Sequence, residues 1–395
     1  MTSLRMAPAD PGRDLAAIAH FTAGIFGQPQ HADQFAEGYF GNSHYDWDTT
    51  RLIWDGERLV HHWGVWGYAM RLEAARLRVA GIGAVATAET HRLQGLMRQA
   101  ATASFAAMYA NGYDLTILRG RYYARFGYRR AWNYVTYRLQ PDEIPALSLE
   151  APYLPLGAEH TAGIVALYNH DYEAYSGTAV RPTYRMLHGD DMGAYGWLDG
   201  EGRLMGYVRA LPSDDQQALR CLEAAGDAEQ GLAVLADLFK HGEYKALEFF
   251  TLPDEHPMLR LLRRGACVVE NRYFHCGGWQ VRLVDLGSTL EKIRPLLGAR
   301  LRGSGLARWQ GDLYLDSGEQ QATLRIQAGE VEVVPAAPGE HRLSGGPDLA
   351  RLLMGSDEPQ EVIRQANMIS TGEAAGLANV LFPNLHPMLS NWDEY

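Results

Sequence analysis

The sequence is poor in cysteine, with only Cys221, Cys267 and Cys276 in 395 residues. Three scattered thiols are too few for a disulfide framework or a zinc site, so we expect reduced cysteines in a cytoplasmic protein. Cys276 follows a histidine and could serve as a nucleophile, but a small buried side chain is the simpler interpretation. The cysteine content therefore indicates a cytoplasmic protein and does not indicate a catalytic or metal-binding role for the thiols.

Long apolar runs and an excess of basic residues are also lacking. No segment approaches the ~20 apolar residues that span a bilayer, and the N-terminus lacks the apolar core of a signal peptide. The chain has 36 Lys and Arg against 47 Asp and Glu, which gives a net charge of −11. This balance argues against nucleic acid or an anionic membrane as partner, and it suits a cationic partner such as an amine.

The remaining composition is that of a globular protein. Apolar residues make up 47% and charged residues 21% of the chain, which excludes a disordered or fibrous protein. At roughly 150 residues per domain, the length predicts two or three domains.

The first region predicts a hairpin and then a strand–helix–strand unit. The predicted strands cover residues 50–54, 58–66, 77–88 and 113–118. Asp55-Gly56 predicts a tight turn between the first two strands. Apolar residues recur at helical spacing over residues 96–108, and Asn111-Gly112 ends this helix. A strand, a helix and a strand in this order imply two parallel neighbouring strands.

Two short motifs recur about 140 residues apart and indicate a duplication. The acidic turn after Trp54 is echoed after Trp197, and the Arg-Phe-Gly ending at Gly127 is echoed by the Arg-Arg-Gly ending at Gly265. This period is longer than that of a solenoid unit, so it predicts a duplicated domain. A proline-rich linker over residues 139–157 separates the two copies.

The pattern changes after about residue 286. Residues 312–316, 322–326 and 331–334 read as three strands joined by turns, and residues 348–354 and 359–368 read as helices. We therefore expect a third domain of α+β type, within an overall α/β class with mixed sheets.

One glycine pattern is rejected as a nucleotide site and another is retained. Gly81, Gly83 and Ala86 match a dinucleotide fingerprint, but strand-like residues continue past Val85 where that fingerprint requires a helix. Gly95 stands directly before a predicted helix, where free N–H groups and the helix dipole attract a phosphate. A plain strand-to-helix connection with solvated arginines is the alternative.

Three segments together resemble a known family. They are Val-Ala-Thr at residues 85–87, Arg-Leu-Gln-Gly-Leu-Met at residues 92–97 and Tyr-Ala-Arg-Phe-Gly-Tyr at residues 123–128. They resemble the coenzyme A-binding core of the GNAT acyltransferases: the splayed strand that pairs with pantetheine, the pyrophosphate loop, and the element whose tyrosine protonates the leaving thiolate. Met97 departs from the family, which has a small residue there.

A narrower resemblance, in order and size of the whole chain, is to the Eis (enhanced intracellular survival) N-acetyltransferases. It implies two tandem GNAT acyltransferase domains and a sterol-carrier-protein-like α+β domain, which we place at residues 1–145, 146–285 and 286–395. It also implies that the carboxylate of the last residue, Tyr395, is the general base and that Tyr123 is the general acid.

The resemblance implies transfer of an acetyl group from acetyl-CoA to a primary amine, such as an aminoglycoside, polyamine or lysine-like acceptor. It also implies a homo-oligomer, commonly a hexamer, and no metal. The residues implied to contact acetyl-CoA are Val85, Ala86, Thr87, Arg92, Leu93, Gln94, Gly95, Leu96, Met97 and Arg98. Leu93 and Gln94 depart from the family, which often has arginines there.

The second copy lacks the chemistry that the first copy has. Asp227 stands where the phosphate loop should recur, and Leu261 stands four residues before Gly265, where the first copy has Tyr123. An acidic side chain repels pyrophosphate and leucine donates no proton. We expect this copy to be structural, or a wall of the amine pocket.

Several alternatives remain open at this point. Tyr123 could be an aromatic packed against the sheet, and Tyr395 could be a frayed end, although a nearby Trp392 favours docking of the tail. His61 and His62 are adjacent in a strand and point to opposite faces, so we do not expect them to share a metal. Rival functions are a lipid-binding carrier that uses the C-terminal domain and a regulatory acyl-CoA sensor without turnover.

Overall fold

The computed structural model describes residues 4–41, 43–182, 193–274 and 277–394. They form three β-sheets with helices on their faces. Cys276 and Tyr395 lie outside the described residues. Within the described ranges, no helix is long and apolar enough to cross a membrane.

The first sheet has seven strands, six of them from the N-terminal third of the chain. They are β1 (Leu4–Pro8), β2 (Arg51–Asp55), β3 (Arg58–Leu72), β4 (Ala75–Thr87), β5 (Leu115–Arg119), β6 (Arg129–Arg130) and the later β14 (Trp279–Leu283). The helices of this region are α1 (Pro11–Ile25), α2 (Ala32–Gln34) and α3 (Leu96–Ala110). The predicted unit is confirmed, because β4 and β5 run parallel from the pair Val79–Leu115 to the pair Ile82–Leu118, and α3 connects them.

The second sheet repeats the first. Its strands are β7 (Tyr134–Leu139), β8 (Leu154–Pro155), β9 (Ala194–Leu198), β10 (Leu204–Pro212), β11 (Ala218–Ala225), β12 (Ala246–Phe249) and β13 (Val268–Arg272). The helices of this region are α4 (Thr161–Asp171), α5 (Ala228–His241) and α6 (Pro257–Leu262). Here β11 and β12 are parallel and α5 connects them, so the predicted duplication is confirmed.

The two sheets exchange one strand each. The order is β1-β2-β3-β4-β5-β14-β6 in the first sheet and β8-β9-β10-β11-β12-β7-β13 in the second. Strand β14 therefore fills in the first sheet the place that β7 fills in the second. A division of the chain at residue 145 does not separate the two sheets, and the domain limits given above remain predictions.

A third, five-stranded sheet and its helices complete the fold. Its strands are β15 (Gln310–Asp316), β16 (Gln321–Gln327), β17 (Glu330–Val334), β18 (His341–Ser344) and β19 (Ile369–Thr371). The helices are α7 (Leu286–Arg302), α8 (Leu349–Met354), α9 (Pro359–Gln365) and α10 (Ala374–Leu381). The predicted α+β unit is confirmed, while its likeness to a sterol carrier protein remains a prediction.

The first and third sheets share one apolar core. Leu290 of α7 belongs to the same buried cluster as Trp66 of β3 and Leu315 of β15. At the start of β5, the buried carboxylate of Asp114 accepts a hydrogen bond from Lys292 Nζ at 2.6 Å. Apolar packing and a partly buried ion pair therefore fix α7 against the first sheet.

Helix α3 covers the opposite face of the first sheet. It forms because apolar and small residues recur at helical spacing, and this stripe is buried. Each fully buried Leu or Met side chain in the stripe stabilises the fold by about 1.5–3 kcal/mol. Packing along the stripe holds the N-terminus of α3 at the edge of the sheet where β4 ends.

Candidate active site

Strands β4 and β5 separate where the sequence predicts a splayed strand. Their last parallel pair is Ile82–Leu118, and β4 then continues to Thr87 while pairing only with β3. The register with β3 shifts at this end of β4, between the pairs Gly64–Gly83 and His62–Ala86, and Ala84 within the shift has a φ of +48°. The backbone from Val85 onward therefore borders an opening on its β5 side.

The first turn of α3 opens on the same edge of the sheet. Gly95 caps this helix with φ +76° and offers no side-chain hydrogen bond. In the described part of the chain, the N–H groups of Leu96 and Met97 have no acceptor. Leu93 also has a positive φ, +64°, and its side chain is fully exposed. Free N–H groups at the positive end of the helix dipole form an anion-binding concavity.

Two arginines flank this concavity. Arg92 and Arg98 are both exposed, and the Arg92 guanidinium lies 3.5 Å from the exposed carboxylate of Glu89. An exposed ion pair of this length contributes little stability. Both guanidinium groups are therefore available to a phosphate, to which they can donate charge-assisted hydrogen bonds.

The corresponding helix of the second copy is closed by its own residues. Asp227 caps α5, and its carboxylate accepts a hydrogen bond from the N–H of Gln230 at 2.8 Å. Leu261 lies within α6, which replaces the turn that holds Tyr123 in the first copy. The aspartate accepts a hydrogen bond from one N–H group of the first turn and adds negative charge there, so the start of α5 is unsuited to a phosphate.

Tyr123 lies in the turn that follows β5. Its ring lies over Gly120, where a Cβ atom would stand 2.5 Å from Cε2 of the tyrosine. Gly127 closes the turn with φ +85°. Burial raises the pKa of the Tyr123 phenol above its ordinary value, so the hydroxyl stays protonated at neutral pH and can donate.

One apolar cluster joins the three predicted parts of the site. Val85 of the splayed strand, Met97 of the first turn of α3 and Tyr123 all pack against the buried residues between α3 and the sheet. Trp63 of β3 belongs to that cluster, and its ring centroid lies 6.1 Å from that of Tyr123. The structure therefore brings these segments together around one edge of the sheet.

The two histidines of β3 have separate partners. His61 Nδ1 lies 2.8 Å from Thr87 Oγ1, which ties β3 to the end of β4. His62 Nδ1 lies 2.7 Å from the carbonyl oxygen of Ala84, and its Nε2 lies 2.6 Å from the Tyr45 hydroxyl. Burial lowers the pKa of His61 to about 3 and that of His62 to about 4. A neutral His62 that donates from Nδ1 therefore holds the irregular part of β4 in place.

The C-terminal tail returns to the same end of β5. The carboxylate of Glu394 lies 3.5 Å from the guanidinium of Arg119, the last residue of that strand. The same guanidinium lies 5.6 Å from the ring centroid of Tyr134. Tyr395 lies outside the described residues, so its predicted role as base remains a prediction.

A cavity of about 240 Å³ lies between the first two sheets and the tail. Its walls include Tyr134, Trp279, Asp254 and Met388. A larger cleft of about 770 Å³, lined in part by Asp46, lies at the opposite end of the first sheet, where β5 begins. Of these two, the smaller cavity lies closer to the splayed end of the sheet, because it shares Tyr134 with the surroundings of Arg119.

The predicted contact residues differ in their exposure. Ala86 and Leu96 are buried, Val85, Thr87 and Met97 are half-buried, and Arg92, Leu93, Gln94, Gly95 and Arg98 are exposed. Their placement around one opening is a structural fact, and their contacts with a ligand remain predictions.

Comparison with known proteins agrees with this geometry. Residues 12–131 match the family described as the acetyltransferase (GNAT) domain. The fold is similar to that of a GCN5-related N-acetyltransferase from Anabaena variabilis, with 16% identity, a TM-score of 0.76 and 100% of both chains covered. A GCN5-related N-acetyltransferase from Kribbella flavida gives 18% identity and a TM-score of 0.73, with 100% of this chain and 98% of that chain covered.

Eis1 from Mycobacterium abscessus is also similar, with 14% identity, a TM-score of 0.69 and 100% of both chains covered. No curated protein has a sequence that matches this chain. Residues 12–131 therefore form a GNAT acetyltransferase domain, within a chain that has an Eis-like GNAT fold. The predicted α/β class with mixed sheets and a GNAT fold is confirmed, and the domain match supports acyl transfer as the chemistry.

Sequence reasoning missed several residues of this region. Arg119 and Glu394 meet although 275 residues separate them in the chain. A charged residue at the end of an apolar strand, as Arg119 is, could have marked the edge of the sheet. His62 was considered only as a metal ligand, whereas its contact with Ala84 shapes the splayed strand.

Proposed function

We propose that this protein is an acetyl-CoA-dependent N-acetyltransferase that acts on a primary amine. One observation carries the proposal: the start of α3, which has no side-chain cap, and the turn of Tyr123 border the opening beyond the Ile82–Leu118 pair. A coenzyme A ester needs these three environments: the start of α3 for its phosphates, the opening for its pantetheine arm and the turn of Tyr123 for its reacting thioester.

The residues around the opening suit a coenzyme A ester. The N–H groups of Leu96 and Met97, with Arg92 and Arg98, would hold the pyrophosphate. The backbone at Val85 would pair with the amides of the pantetheine arm. When bound, the ester supplies an acyl group activated by its thiol leaving group. A helix start with an acidic cap, as in the second copy, would repel the same ligand.

The protonation states of two groups of the chain then define the chemistry. Tyr123, neutral because its pKa is raised, would donate its proton to the sulfur as the carbon–sulfur bond breaks. A free alkylamine is mostly protonated at pH 7 and must lose a proton to attack. We propose that the terminal carboxylate of Tyr395 accepts that proton, directly or through water.

The acceptor is proposed to be cationic, from the aminoglycoside, polyamine or lysine-like class. The net charge of −11 favours the approach of such an amine, and the cavity beside Tyr134 offers aromatic walls together with the carboxylate of Asp254. The free thiols of Cys221 and Cys267 suit a cytoplasmic enzyme. The hexamer implied by the resemblance is part of the proposal, and light scattering on the purified protein tests it.

Thiol release from acetyl-CoA in the presence of chemically distinct amines tests the proposed activity, with acetyl-CoA binding measured beside it by calorimetry. The proposal expects binding in the absence of amine and release that depends on at least one amine. Binding without release would indicate the acyl-CoA sensor instead. Absence of binding would indicate a carrier built on a GNAT scaffold.

A further inference from the structure

The tail that precedes Glu394 is buried in the second copy. Trp392 packs with Tyr207 of β10 in a cluster between α4 and the second sheet. Arg209 of β10 donates a hydrogen bond to the side chain of Asn391 at 2.6 Å, and its guanidinium lies 4.9 Å from the Trp392 ring centroid. Residues 390–393 are therefore held by apolar, cation–π and hydrogen-bonding contacts together.

Arg181 is the centre of this anchor. Its guanidinium donates two hydrogen bonds to Glu223 of β11, at 2.8 and 2.7 Å, and two to Asp393 of the tail, both at 3.1 Å. The three side chains are 3%, 1% and 0% exposed. The ring of Tyr168 lies 3.5 Å from the guanidinium. Such a fully paired buried cation fixes the geometry of both carboxylates.

Hydroxyl groups balance the excess negative charge of the cluster. Tyr207 donates to Glu223 at 2.7 Å, and the Ser390 hydroxyl, which belongs to the tail, donates to the same carboxylate. Burial opposes the charged form of Glu223, but Arg181 and these donors bring its pKa below the ordinary value. The cluster is thus ionised at neutral pH, and two residues of the tail are part of it.

The place of Glu223 in the second sheet is informative. The last parallel pair of β11 with β12 is Cys221–Phe249, so Glu223 stands two residues beyond it. Ala84 stands two residues beyond the last pair of β4 with β5, at the irregular end of the splayed strand. Glu223, which helps to hold the tail in the second copy, therefore occupies the position that Ala84 occupies beside the opening of the first copy.

The anchored tail also faces the first copy. Burial, and then the charge of Asp393, raise the pKa of Tyr68, a residue of β3 in the first sheet. The next residue, Glu394, contacts Arg119 at the end of β5. The tail thus leaves its anchor in the second sheet and reaches the first sheet within one residue. One further residue extends the chain by about 3.8 Å.

We propose that the second copy has become a holder for the catalytic tail, with Arg181, Glu223 and Asp393 as positioning residues for the terminal carboxylate. This inference rests on the proposed function, in which that carboxylate accepts the proton of the amine. A copy without a phosphate site keeps its fold because its sheet fixes the tail of the chain beside the working site.

The test compares Asp393→Asn and Arg181→Gln with the unaltered protein. Both variants remove the charge pairing of the tail while the first copy stays intact. We expect kcat to fall roughly 10- to 100-fold through misplacement of the base, while the KM and Kd for acetyl-CoA stay within about twofold. Hydrogen exchange of the amides of residues 388–394 should quicken in the same variants. A merely stabilising ion pair would not produce this split between kcat and KM.

Two further variants keep the test decisive. Asp199→Asn removes an ion pair with Arg203 in the turn between β9 and β10, and it should change neither kcat nor the exchange of the tail. Should Arg181→Gln fail to fold, Ser390→Ala removes only a hydroxyl donor and should shift both readouts in the same direction, by less. Unchanged kcat with a released tail, or an unchanged tail in Asp393→Asn, would overturn the inference. Absence of transfer by the unaltered protein would instead overturn the proposed function.

Discussion

Gly95 and Asp227 begin the corresponding helices of the two copies, and only Asp227 caps its helix with a side chain. The glycine leaves the first N–H groups of α3 free on the splayed edge of the first sheet. The aspartate accepts from one such group in α5 and brings a negative charge to it. One substitution at one helix position therefore separates a potential phosphate site from a closed helix end.

Gly95→Ala should weaken acetyl-CoA binding, since alanine disfavours φ +76° and a shifted cap misaligns the N–H groups of the first turn. Gly112 is a matched control, because it lies just past the other end of α3 with φ +71° and equally open surroundings. We expect both substitutions to cost about 1 kcal/mol of stability. Calorimetry should show a raised Kd for acetyl-CoA in Gly95→Ala only. An equal Kd in both variants would contradict the assignment of the cradle.

Tyr123→Phe should lower kcat on the order of 10²-fold, because phenylalanine keeps the ring packing but has no proton to donate. The affinity for acetyl-CoA should stay unchanged. Tyr122→Phe is the control, since its ring is 72% exposed and its loss should leave turnover intact. Initial rates with saturating amine decide the point. Equal rates in the two variants would remove Tyr123 from the mechanism.

Adding one glycine after Tyr395 should reduce turnover on the order of 10²-fold, because the terminal carboxylate moves by one residue. Acetyl-CoA affinity should be nearly unaffected. Tyr395→Phe keeps the carboxylate and an aromatic ring, so it should retain turnover within a few-fold. If the extended protein works as fast as the unaltered one, another group is the base.

Stability should fall as the pH drops from about 6.5 towards 4. Burial lowers the pKa of His61 to about 3 and that of His62 to about 4, so the unfolded chain binds protons in this range that the folded chain does not. The loss should be on the order of 1–2 kcal/mol per histidine at pH 5. Urea unfolding at pH 8 and pH 5 measures it. His62→Gln should flatten the dependence, whereas His241→Gln, at an exposed position, should leave it as it is.

Local sequence patterns were sufficient for the core of the first copy. Helical spacing and the Asn111-Gly112 pair locate α3, and the glycine at position 95 marks its start. The duplication places Asp227 where the phosphate loop would recur, and in the structure Asp227 caps the matching helix. These features depend on neighbours in the chain, which a sequence displays directly.

Contacts between distant segments were beyond such reasoning. Strands β7 and β14 would show the same residue pattern whichever sheet they joined, because the choice of partner depends on tertiary packing. Arg181 and Asp393 are 212 residues apart in the chain, and nothing near either one marks the other. The aromatic character of Trp392 predicts its docking, but nothing in the sequence predicts that Arg181 lies against its ring.

The reciprocal placement of β7 and β14 has a consequence during synthesis. The N-terminal sheet lacks an internal strand until Leu283 has left the ribosome, by which time every strand of the second sheet has been made. The second sheet can therefore form before the first is complete, and a gene fragment encoding only residues 12–131 would leave β5 and β6 without the strand that joins them.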